Sequence, residues 1–261
     1  MSNSEKLEVH LNNLSEWMKS NGRVAVAYSG GVDSTLVAAV ASRALGDKAD
    51  IIFCHTPLIA RQEADEAVAL ADSLKFPLTV LELDPLALEQ VRENHPDRCY
   101  FCKYHIFSQI SAAYPDCAIV DGTNLDDTFT DRPGLKALDQ LNVKSPLAEQ
   151  RITKKEIRAL SKTMGLPNWD KPSAPCLATR FAPYTTISLE ALERAQEAED
   201  IVSQAGFSYV RVRDHYPKAV IEVHPDEVKR LQRTLESVRS SLSALYQIIA
   251  VAPEGYSGST D

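Results

Sequence analysis

Apolar, β-branched segments alternate with helical segments through the first 166 residues, and this alternation constrains the fold more than any other feature. The predicted strands are RVAVAY at 23–28, ADIIFCH at 49–55, PLTVLEL at 77–83 and CAIVDGTN at 117–124. Helical patterns lie between and after them, the last at 154–166. Strands that alternate with helices at this spacing form a parallel sheet covered on both faces. We therefore predict an α/β fold with a doubly wound parallel sheet, which occupies residues 1–168.

The rest of the chain predicts a second, smaller domain. Residues 169–187 form a proline-rich crossing that carries Cys176, and prolines restrict both their own backbone and that of the preceding residue. Residues 188–256 then read as helix, two strands, helix and strand, which predicts a small α+β domain.

Composition and charge narrow the function classes. With 28 Lys and Arg against 36 Asp and Glu, the formal net charge is −8. This acidic balance weighs against a function in nucleic-acid binding. No apolar run approaches the roughly 20 residues of a membrane span. The N-terminus MSNSEKLEVH has no apolar stretch of the signal-peptide type, so we expect a cytoplasmic protein.

The string SGGVDS at 29–34 follows the first strand and opens a helix. Its glycines allow backbone N–H groups to approach an anion, and the helix N-terminus adds favourable partial charge. No Gly-Lys-Ser/Thr follows, so this is not the lysine-bearing P-loop. The residues predicted to hold phosphate groups are Ser29, Gly30, Gly31, Ser34 and Thr35.

Three of the five cysteines form a candidate metal or sulfur site. Cys99 and Cys102 make a C-x-x-C, and Cys176 stands on the stiff proline-rich segment. Three thiolates could bind zinc with His105 as a fourth ligand, or a [4Fe–4S] cluster with one iron free of protein ligands. The other two cysteines, Cys54 and Cys117, fall inside apolar strand patterns and are expected to be inert core residues.

SGGVDS resembles the PP-loop of the ATP pyrophosphatase superfamily, whose members split ATP between the α and β phosphates and adenylate a substrate. The resemblance implies an adenine nucleotide alpha hydrolase-like fold. It also implies that the loop holds pyrophosphate and that Asp33 helps to place Mg²⁺. Mg²⁺ is commonly held by one or two carboxylates together with substrate phosphates.

A narrower resemblance covers almost the whole chain. The order SGGVDS, PDRCYFCK, DGTNLDD, DRPGLKAL, SPLAEQRITKKEIRAL and LPNWDKPSAPCLATR, then YVRVRDH and AVIEVH, is similar to the ATP-dependent sulfur transferases that build the nickel-pincer nucleotide cofactor of lactate racemase. In some members one cysteine, at the position of Cys176, surrenders its own sulfur. Others bind a [4Fe–4S] cluster through three cysteines, and the pattern here implies that Cys99, Cys102 and Cys176 do so. Sacrifice of Cys176 remains the alternative.

The same resemblance implies a substrate, pyridinium-3,5-biscarboxylic acid mononucleotide, and its ligands. These are Asp126, Asp127, Arg132, Arg180, Arg211, Arg213 and Glu222. In YVRVRDH the two arginines alternate, so they share one face of a strand, where a merely solvated face is the alternative. Glu222 could instead only pair with these arginines, and Asp121 could only cap its turn. Relatives also imply a homo-oligomer and a separate source of sulfide.

One departure from the family concerns the C-terminus. The family usually ends in an aromatic–Arg–Ser–Gly stretch, whereas this chain reads Tyr256-Ser257-Gly258 with no arginine. That arginine's role must be absent here or supplied by another residue.

Three other functions are compatible with parts of the pattern. Related PP-loop enzymes thiolate tRNA, and others make amides, as NAD and GMP synthetases do. The chain could also be a nucleotide-binding regulator with a structural zinc site made of three cysteines and His105.

Overall fold

The computed structural model describes residues 3–129 and 133–256. The chain divides into two compact units. The first unit runs up to Pro85 and resumes from Asp97 to Ala174, and the second comprises Leu86–Pro96 and the chain from Pro175 onward. Each unit is built around its own sheet.

The regular elements of the described residues follow in chain order. They are α1 (Asn3–Ser20), β1 (Val24–Tyr28), α2 (Val32–Leu45), β2 (Ala49–His55), α3 (Arg61–Ser73), β3 (Leu78–Glu82), α4 (Glu89–Arg92), α5 (Arg98–Ala113), β4 (Ala118–Val120), α6 (Pro133–Gln140), α7 (Pro146–Glu149), α8 (Lys154–Thr163), α9 (Leu189–Gln204), β5 (Arg211–His215), β6 (Lys218–Glu222), α10 (Val228–Leu242) and β7 (Ile248–Val251).

The sheet of the first unit has the strand order β3-β2-β1-β4, and every neighbouring pair is parallel. This confirms the predicted parallel α/β fold. Strand β4 ends at Val120, four residues before the predicted strand pattern does, because the chain turns at Asp121. There the side chain of Asp121 accepts a hydrogen bond from Thr123 N at 3.1 Å. The order places the carboxyl ends of β1 and β4 side by side, which is where a ligand binds in such folds.

Helices cover both faces of this sheet, as the alternation of side chains along β1 shows. Val24, Val26 and Tyr28 pack in one cluster, together with buried residues of α1, α2, α3 and α8. Ala25 and Ala27 pack in the other, with buried residues of α5 and α6. Burial of each large apolar side chain contributes about 1.5–3 kcal/mol to the hydrophobic stabilisation. The two-faced core explains why the strands read as nearly continuous apolar runs.

The second unit contains a three-stranded sheet in the order β5-β6-β7. Strands β5 and β6 are antiparallel, and β6 and β7 are parallel. One buried cluster joins the strands to α9 and α10, and Val212, Ile221 and Leu231 are fully buried in it. This mixed sheet with two packed helices is the α+β arrangement that the sequence predicted.

Helix α1 was not predicted from the sequence, although it contributes Leu14 and Met18 to the core of the first unit. Within residues 3–129 and 133–256, no helix has the length and apolar character required to span a membrane.

A capping box fixes the start of α8, the helix that leads away from the sheet's carboxyl edge. Thr153 Oγ1 accepts from Glu156 N at 3.3 Å, and Glu156 Oε2 accepts from Thr153 N at 2.9 Å. Glu156 also pairs with Lys6 of α1. Burial raises the pKa of Glu156, but the bonds from Lys6 and Thr153 outweigh it and lower that pKa to about 2. The ionised carboxylate therefore ties α8 to α1.

We expect Glu156 to make stability depend on pH. Its pKa in the folded chain lies below the ordinary 4.5, so its contribution is present above about pH 4.5 and is lost as the pH falls toward 2. The free energy of unfolding of wild type minus that of Glu156→Gln, from urea titrations, should therefore be constant near neutrality and shrink between these pH values. Glu16→Gln, at an exposed position of α1, is the control. A difference that does not change with pH would contradict this account.

Candidate active site

The loop 29–34 joins the carboxyl end of β1 to α2, and hydroxyl groups fix its shape. Ser29 N donates to Ser34 Oγ at 3.1 Å, and the two serine hydroxyl oxygens lie 3.0 Å apart. Thr35 Oγ1 donates to Gly31 O at 2.8 Å. The first N–H groups of a helix have no acceptors within the helix, so the N-terminus of α2 offers donors to an anion beside this loop.

Two glycines allow backbone segments to come closer than any side chain would permit. Gly30 has φ +73°, and a Cβ atom there would lie 2.6 Å from Ala67 Cβ and 2.9 Å from Ala67 Cα in α3. A Cβ atom on Gly122, just after β4, would lie 2.8 Å from Ser34 N. The loop is therefore packed directly against α3 on one side and against the chain after β4 on the other.

Asn168 stabilises the loop through hydrogen bonds, although no sequence pattern pointed to this residue. Its Nδ2 donates to Gly30 O at 3.0 Å and to Thr35 Oγ1 at 3.0 Å. The residue is 9% exposed, and its Oδ1 has no hydrogen-bond partner among the described residues. The sequence gives no signal here because Asn168 follows Pro167 in an irregular segment far along the chain from the loop.

Asp33, in the first turn of α2, is paired with Lys154, the first residue of α8. Lys154 Nζ lies 2.8 Å from Asp33 Oδ1 and 2.6 Å from Asp33 Oδ2. Burial raises the pKa of Asp33 above its ordinary value, although Lys154 opposes this. The negative charge of Asp127 raises it further. A cation that binds to the Asp33 carboxylate therefore stabilises its ionised form.

Asp126 and Asp127 follow the turn after β4 and lie in the same unit as Asp33. Asp126 Oδ2 accepts from the backbone N of Lys154 at 2.6 Å. Asp127 Oδ2 accepts from Asn124 N at 3.2 Å. Asp121 accepts from Thr123 N and, at 2.6 Å, from Ser145 Oγ, which agrees with a turn-capping role. The predicted ligand Arg132 lies outside the described residues.

These side chains are suited to bind a nucleoside triphosphate together with Mg²⁺. The loop and the N-terminus of α2 present backbone donors and hydroxyls, which bind phosphate oxygens. Carboxylate oxygens such as those of Asp33 are the ligands that Mg²⁺ takes in proteins. The residues of this site therefore fit phosphate and Mg²⁺, and Asp33 supplies the carboxylate within the loop.

The C-x-x-C opens α5, as predicted. Cys99 is exposed, Cys102 is half-buried, and His105 lies one turn further along the helix and is half-buried. Cys176 belongs to the second unit and is half-buried. Among the side chains described, no three His, Cys, Asp or Glu residues form a group that could hold a metal ion.

The remaining two cysteines have the character expected of inert thiols. Cys54 lies in β2, and burial raises its pKa to about 12. Burial also raises the pKa of Cys117, against the opposing effect of Arg23. A thiol is reactive as its thiolate, so both are protonated and poor nucleophiles near neutral pH.

In the second unit, Arg180 fixes the segment that carries Cys176. Its Nε and Nη2 contact Glu199 Oε1 and Oε2 at 2.7 and 3.1 Å. Its Nη1 donates to Pro175 O at 3.2 Å and to Thr179 Oγ1 at 2.9 Å. Arg180 is 3% exposed, so its guanidinium is committed to these protein groups. The family resemblance implied a substrate ligand at Arg180. No motif pointed to Glu199, which lies inside a predicted helix.

Arg211 and Arg213 lie on the same face of β5, next to Glu222 of β6. Arg213 Nη2 lies 2.8 Å from Glu222 Oε2, and Arg213 Nη1 donates to Thr179 O at 2.6 Å. The Arg211 guanidinium carbon lies 5.4 Å from the centre of the Tyr256 ring. The second unit thus contains two neighbouring guanidinium groups, of which Arg213 is balanced by one carboxylate.

Comparisons with known proteins connect these features to families. The family described as NAD synthase matches residues 5–101, which include the loop and the C-x-x-C cysteine Cys99. An uncharacterized protein of Synechocystis is 35% identical over 96% of this chain and 96% of its own length. One component of a glutamine-hydrolyzing GMP synthase from Methanococcus maripaludis is 29% identical over 70% of this chain and 64% of its own length.

Another relative with a named activity covers most of both chains. It is the pyridinium-3,5-bisthiocarboxylic acid mononucleotide synthase of Lactiplantibacillus plantarum, which is 35% identical over 79% of this chain and 76% of its own length.

We expect Gly30→Ala to destabilise the first unit more than its backbone angle alone requires. Gly22 has a similar φ of +74° with no atom within 4 Å of an added Cβ, so Gly22→Ala is the matched control. The control should cost about 1–2 kcal/mol for the left-handed conformation. Gly30→Ala should cost a further ~1–3 kcal/mol, because Ala67 must move. Equal losses in urea unfolding would mean that the contact with α3 is not tight.

We expect the buried Arg180–Glu199 pair to be a main support of the second unit. Arg180→Gln should lower the free energy of unfolding by about 3–5 kcal/mol, because it leaves Glu199 charged and buried. Arg239→Gln breaks an exposed i,i+3 pair with Glu236 and should cost about 0–1 kcal/mol. Denaturant unfolding of both variants checks this, and similar small losses would refute a structural role for the pair.

Proposed function

The chain belongs to the pyridinium-3,5-bisthiocarboxylic acid mononucleotide synthase family, and we propose on this basis that it is an ATP-dependent sulfur transferase. Its substrate would be pyridinium-3,5-biscarboxylic acid mononucleotide, in which it converts a ring carboxylate to a thiocarboxylate. The product would enter synthesis of the nickel-pincer nucleotide cofactor used by lactate racemase.

The observation that carries this proposal is the loop 29–34 with Asp33 at its end. The loop presents serine hydroxyls and the N-terminus of α2, and Asp33 stands in the first turn of that helix. We propose that Ser29, Gly30, Gly31, Ser34 and Thr35 hold the phosphates of ATP and that Asp33 binds Mg²⁺. Bound Mg²⁺ supplies charge neutralisation at the phosphate oxygens.

The need for ATP follows from the chemistry of the substrate. A carboxylate is a poor electrophile at neutral pH, so its oxygen first attacks the α-phosphorus of ATP. The bond from that phosphorus to the β-phosphate oxygen breaks, and pyrophosphate leaves. A sulfur nucleophile then attacks the acyl carbon of the adenylate, the carbon–oxygen bond to AMP breaks, and a thiocarboxylate remains. Thiolates and sulfide are nucleophilic enough for this step without a strong base.

We propose that Cys99, Cys102 and Cys176 would hold a [4Fe–4S] cluster, which would supply sulfide as the sulfur nucleophile. Two cysteines separated by two residues, as at the start of α5, are a common spacing among cluster ligands. The alternative is that Cys176 donates its own sulfur: its thiolate forms the thioester, and elimination across its Cα–Cβ bond releases the thiocarboxylate and leaves dehydroalanine. The cluster route needs one sulfide from an external source for each turnover, whereas sacrifice of Cys176 needs none and proceeds once.

The substrate's phosphate and carboxylates would be bound by arginines. We propose Arg211 and Arg213 for this role, since a guanidinium binds such groups through paired hydrogen bonds. Arg180 would act on the segment that carries Cys176, because its own donors contact Glu199, Pro175 and Thr179. Asp126, Asp127, Arg132 and Glu222 remain proposed site residues. A homo-oligomer also remains a proposal.

A variant at Cys176 separates the two half-reactions. Cys176→Ser should still form the acyl-adenylate and pyrophosphate from ATP and the dicarboxylate mononucleotide, because the nucleotide site is intact, but should form no thiocarboxylate. AMP should then appear only as water hydrolyses the adenylate. Cys117→Ala should retain both steps, since Cys117 is a half-buried thiol outside the proposed site. Mass spectrometry of the nucleotide products checks this. Thiocarboxylate formation by Cys176→Ser would sink the assignment of Cys176.

Iron analysis distinguishes the sulfur sources. Protein purified without oxygen should contain about four irons and acid-labile sulfide, as a cubane requires. Cys99→Ser, Cys102→Ser or Cys176→Ser should each remove the iron and the sulfide, whereas Cys117→Ala should not. Loss of one hydrogen sulfide from the protein after turnover, without iron, would instead favour sacrifice of Cys176. One zinc and no iron would contradict both routes.

A further inference from the structure

The peptide unit between Gly30 and Gly31 is the part of the loop 29–34 that meets the least resistance to rotation. Its rotation changes ψ of Gly30 and φ of Gly31, and neither residue has a Cβ atom to oppose the change. The next carbonyl, Gly31 O, accepts from Thr35 N at 3.0 Å and from Thr35 Oγ1 at 2.8 Å. Among the described residues, Gly30 O accepts no hydrogen bond from within the loop or α2, so its orientation depends on a contact from outside.

Asn168 supplies that contact, and its amide is oriented to donate. Nδ2 donates to Gly30 O and to Thr35 Oγ1, each at 3.0 Å. The hydroxyl hydrogen of Thr35 is directed at Gly31 O, so Thr35 Oγ1 can only accept from Asn168. Asn168 Oδ1 is buried and has no hydrogen-bond partner in the described part of the chain. A buried acceptor without a partner is unfavourable, so filling space does not explain an asparagine at this position.

Asn168 is itself held in place by two helices of the first unit. Lys171 N donates to Asn168 O at 3.0 Å, and Lys171 Nζ lies 2.7 Å from Glu63 Oε2 in α3. The adjacent residue Trp169 accepts at its carbonyl oxygen from Arg158 Nη1 of α8, at 3.2 Å. The amide that contacts the loop therefore has a fixed position relative to the sheet and its helices.

The bond to Gly30 O sets the direction of the Gly31 N–H group. The peptide is trans, and in a trans peptide the C=O and N–H groups point to opposite sides. With Gly30 O held at Asn168, the Gly31 N–H group points away from Asn168 and toward Ser29 Oγ, at 3.4 Å. That bond is long, so an anion can replace it. The reversed peptide would present a carbonyl oxygen on the same side and would repel phosphate oxygens.

We propose that Asn168 is a positioning residue for the nucleotide. It holds the Gly30–Gly31 peptide so that Gly31 N–H faces the phosphates, and it acts through Gly30 O without contacting the nucleotide. This inference rests on the proposed use of ATP, and it adds to the loop motif a residue from a distant part of the chain.

Loss of the Asn168 amide should divide the folded molecules between two orientations of this peptide. The apparent dissociation constant then rises by the inverse of the fraction in the competent orientation. The number of binding sites stays the same, because every folded molecule can still reach that orientation. A residue needed only for folding would instead lower the number of sites and leave the dissociation constant of the folded molecules unchanged.

The test compares Asn168→Ala and Asn168→Leu with Asn21→Ala. Asn21 is the matched control because its Nδ2 also donates to a backbone carbonyl, Trp17 O, at 2.8 Å. Isothermal titration calorimetry would measure the binding of ATP and of pyrophosphate, each with Mg²⁺. Both Asn168 variants should bind both ligands at least about 5-fold more weakly than wild type, the scale of one lost hydrogen bond, with an unchanged number of sites. Asn21→Ala should match wild type, and urea titrations would verify that each variant is folded.

Asn168→Leu keeps a branched side chain but has no donor, so it separates hydrogen bonding from space filling. Wild-type affinity in Asn168→Leu would overturn the inference, as would an equal loss in Asn168→Ala and Asn21→Ala or fewer sites at an unchanged dissociation constant. Each of these results leaves the proposed use of ATP intact. If the leucine variant does not fold, the two alanine variants decide. Wild-type protein that binds neither ATP nor pyrophosphate with Mg²⁺ would overturn both proposals.

Discussion

The nucleotide loop depends on backbone segments that pack without an intervening side chain. At Gly30 the loop meets Ala67 of α3, and at Gly122 the chain after β4 meets the start of α2. Asn168 donates hydrogen bonds to Gly30 O and Thr35 Oγ1 and so stabilises this conformation of the loop. Because every contact is to main chain or to a short side chain, the shape of the loop is set before any ligand binds, and a preformed site of this kind avoids part of the ordering cost of binding.

Charge at this edge of the sheet is arranged around Asp33. Burial alone would favour its neutral form, and Lys154 supports the ionised form at close range. The two oxygens of Asp33 that contact Lys154 are also the carboxylate oxygens that a cation at this edge of the sheet would use.

The sequence predicted the features that are set by residues close together along the chain. The strand–loop–helix string, the alternation of strands and helices and the position of the C-x-x-C at a helix start all depend on neighbouring residues, and the structure confirms them. Contacts between distant residues could not be read in this way. Lys154 and Asp33 are 121 positions apart, and Asn168 and Gly30 are 138 apart. The contact of Arg180 with Glu199 is of the same kind, because the fold of the second unit brings the two residues together.

Substrate-dependent formation of AMP tests the central claim most directly. Wild-type protein would be incubated without oxygen with ATP, Mg²⁺, sulfide and the pyridinium dicarboxylate mononucleotide, and AMP, pyrophosphate and the mononucleotide would be measured together. The account predicts AMP and pyrophosphate in equal amounts, only when the mononucleotide is present, and one sulfur gained by the mononucleotide for each AMP. AMP formation that requires ammonia and another nucleotide acid, with no sulfur transferred, would contradict it and identify the chain as an amide-forming enzyme.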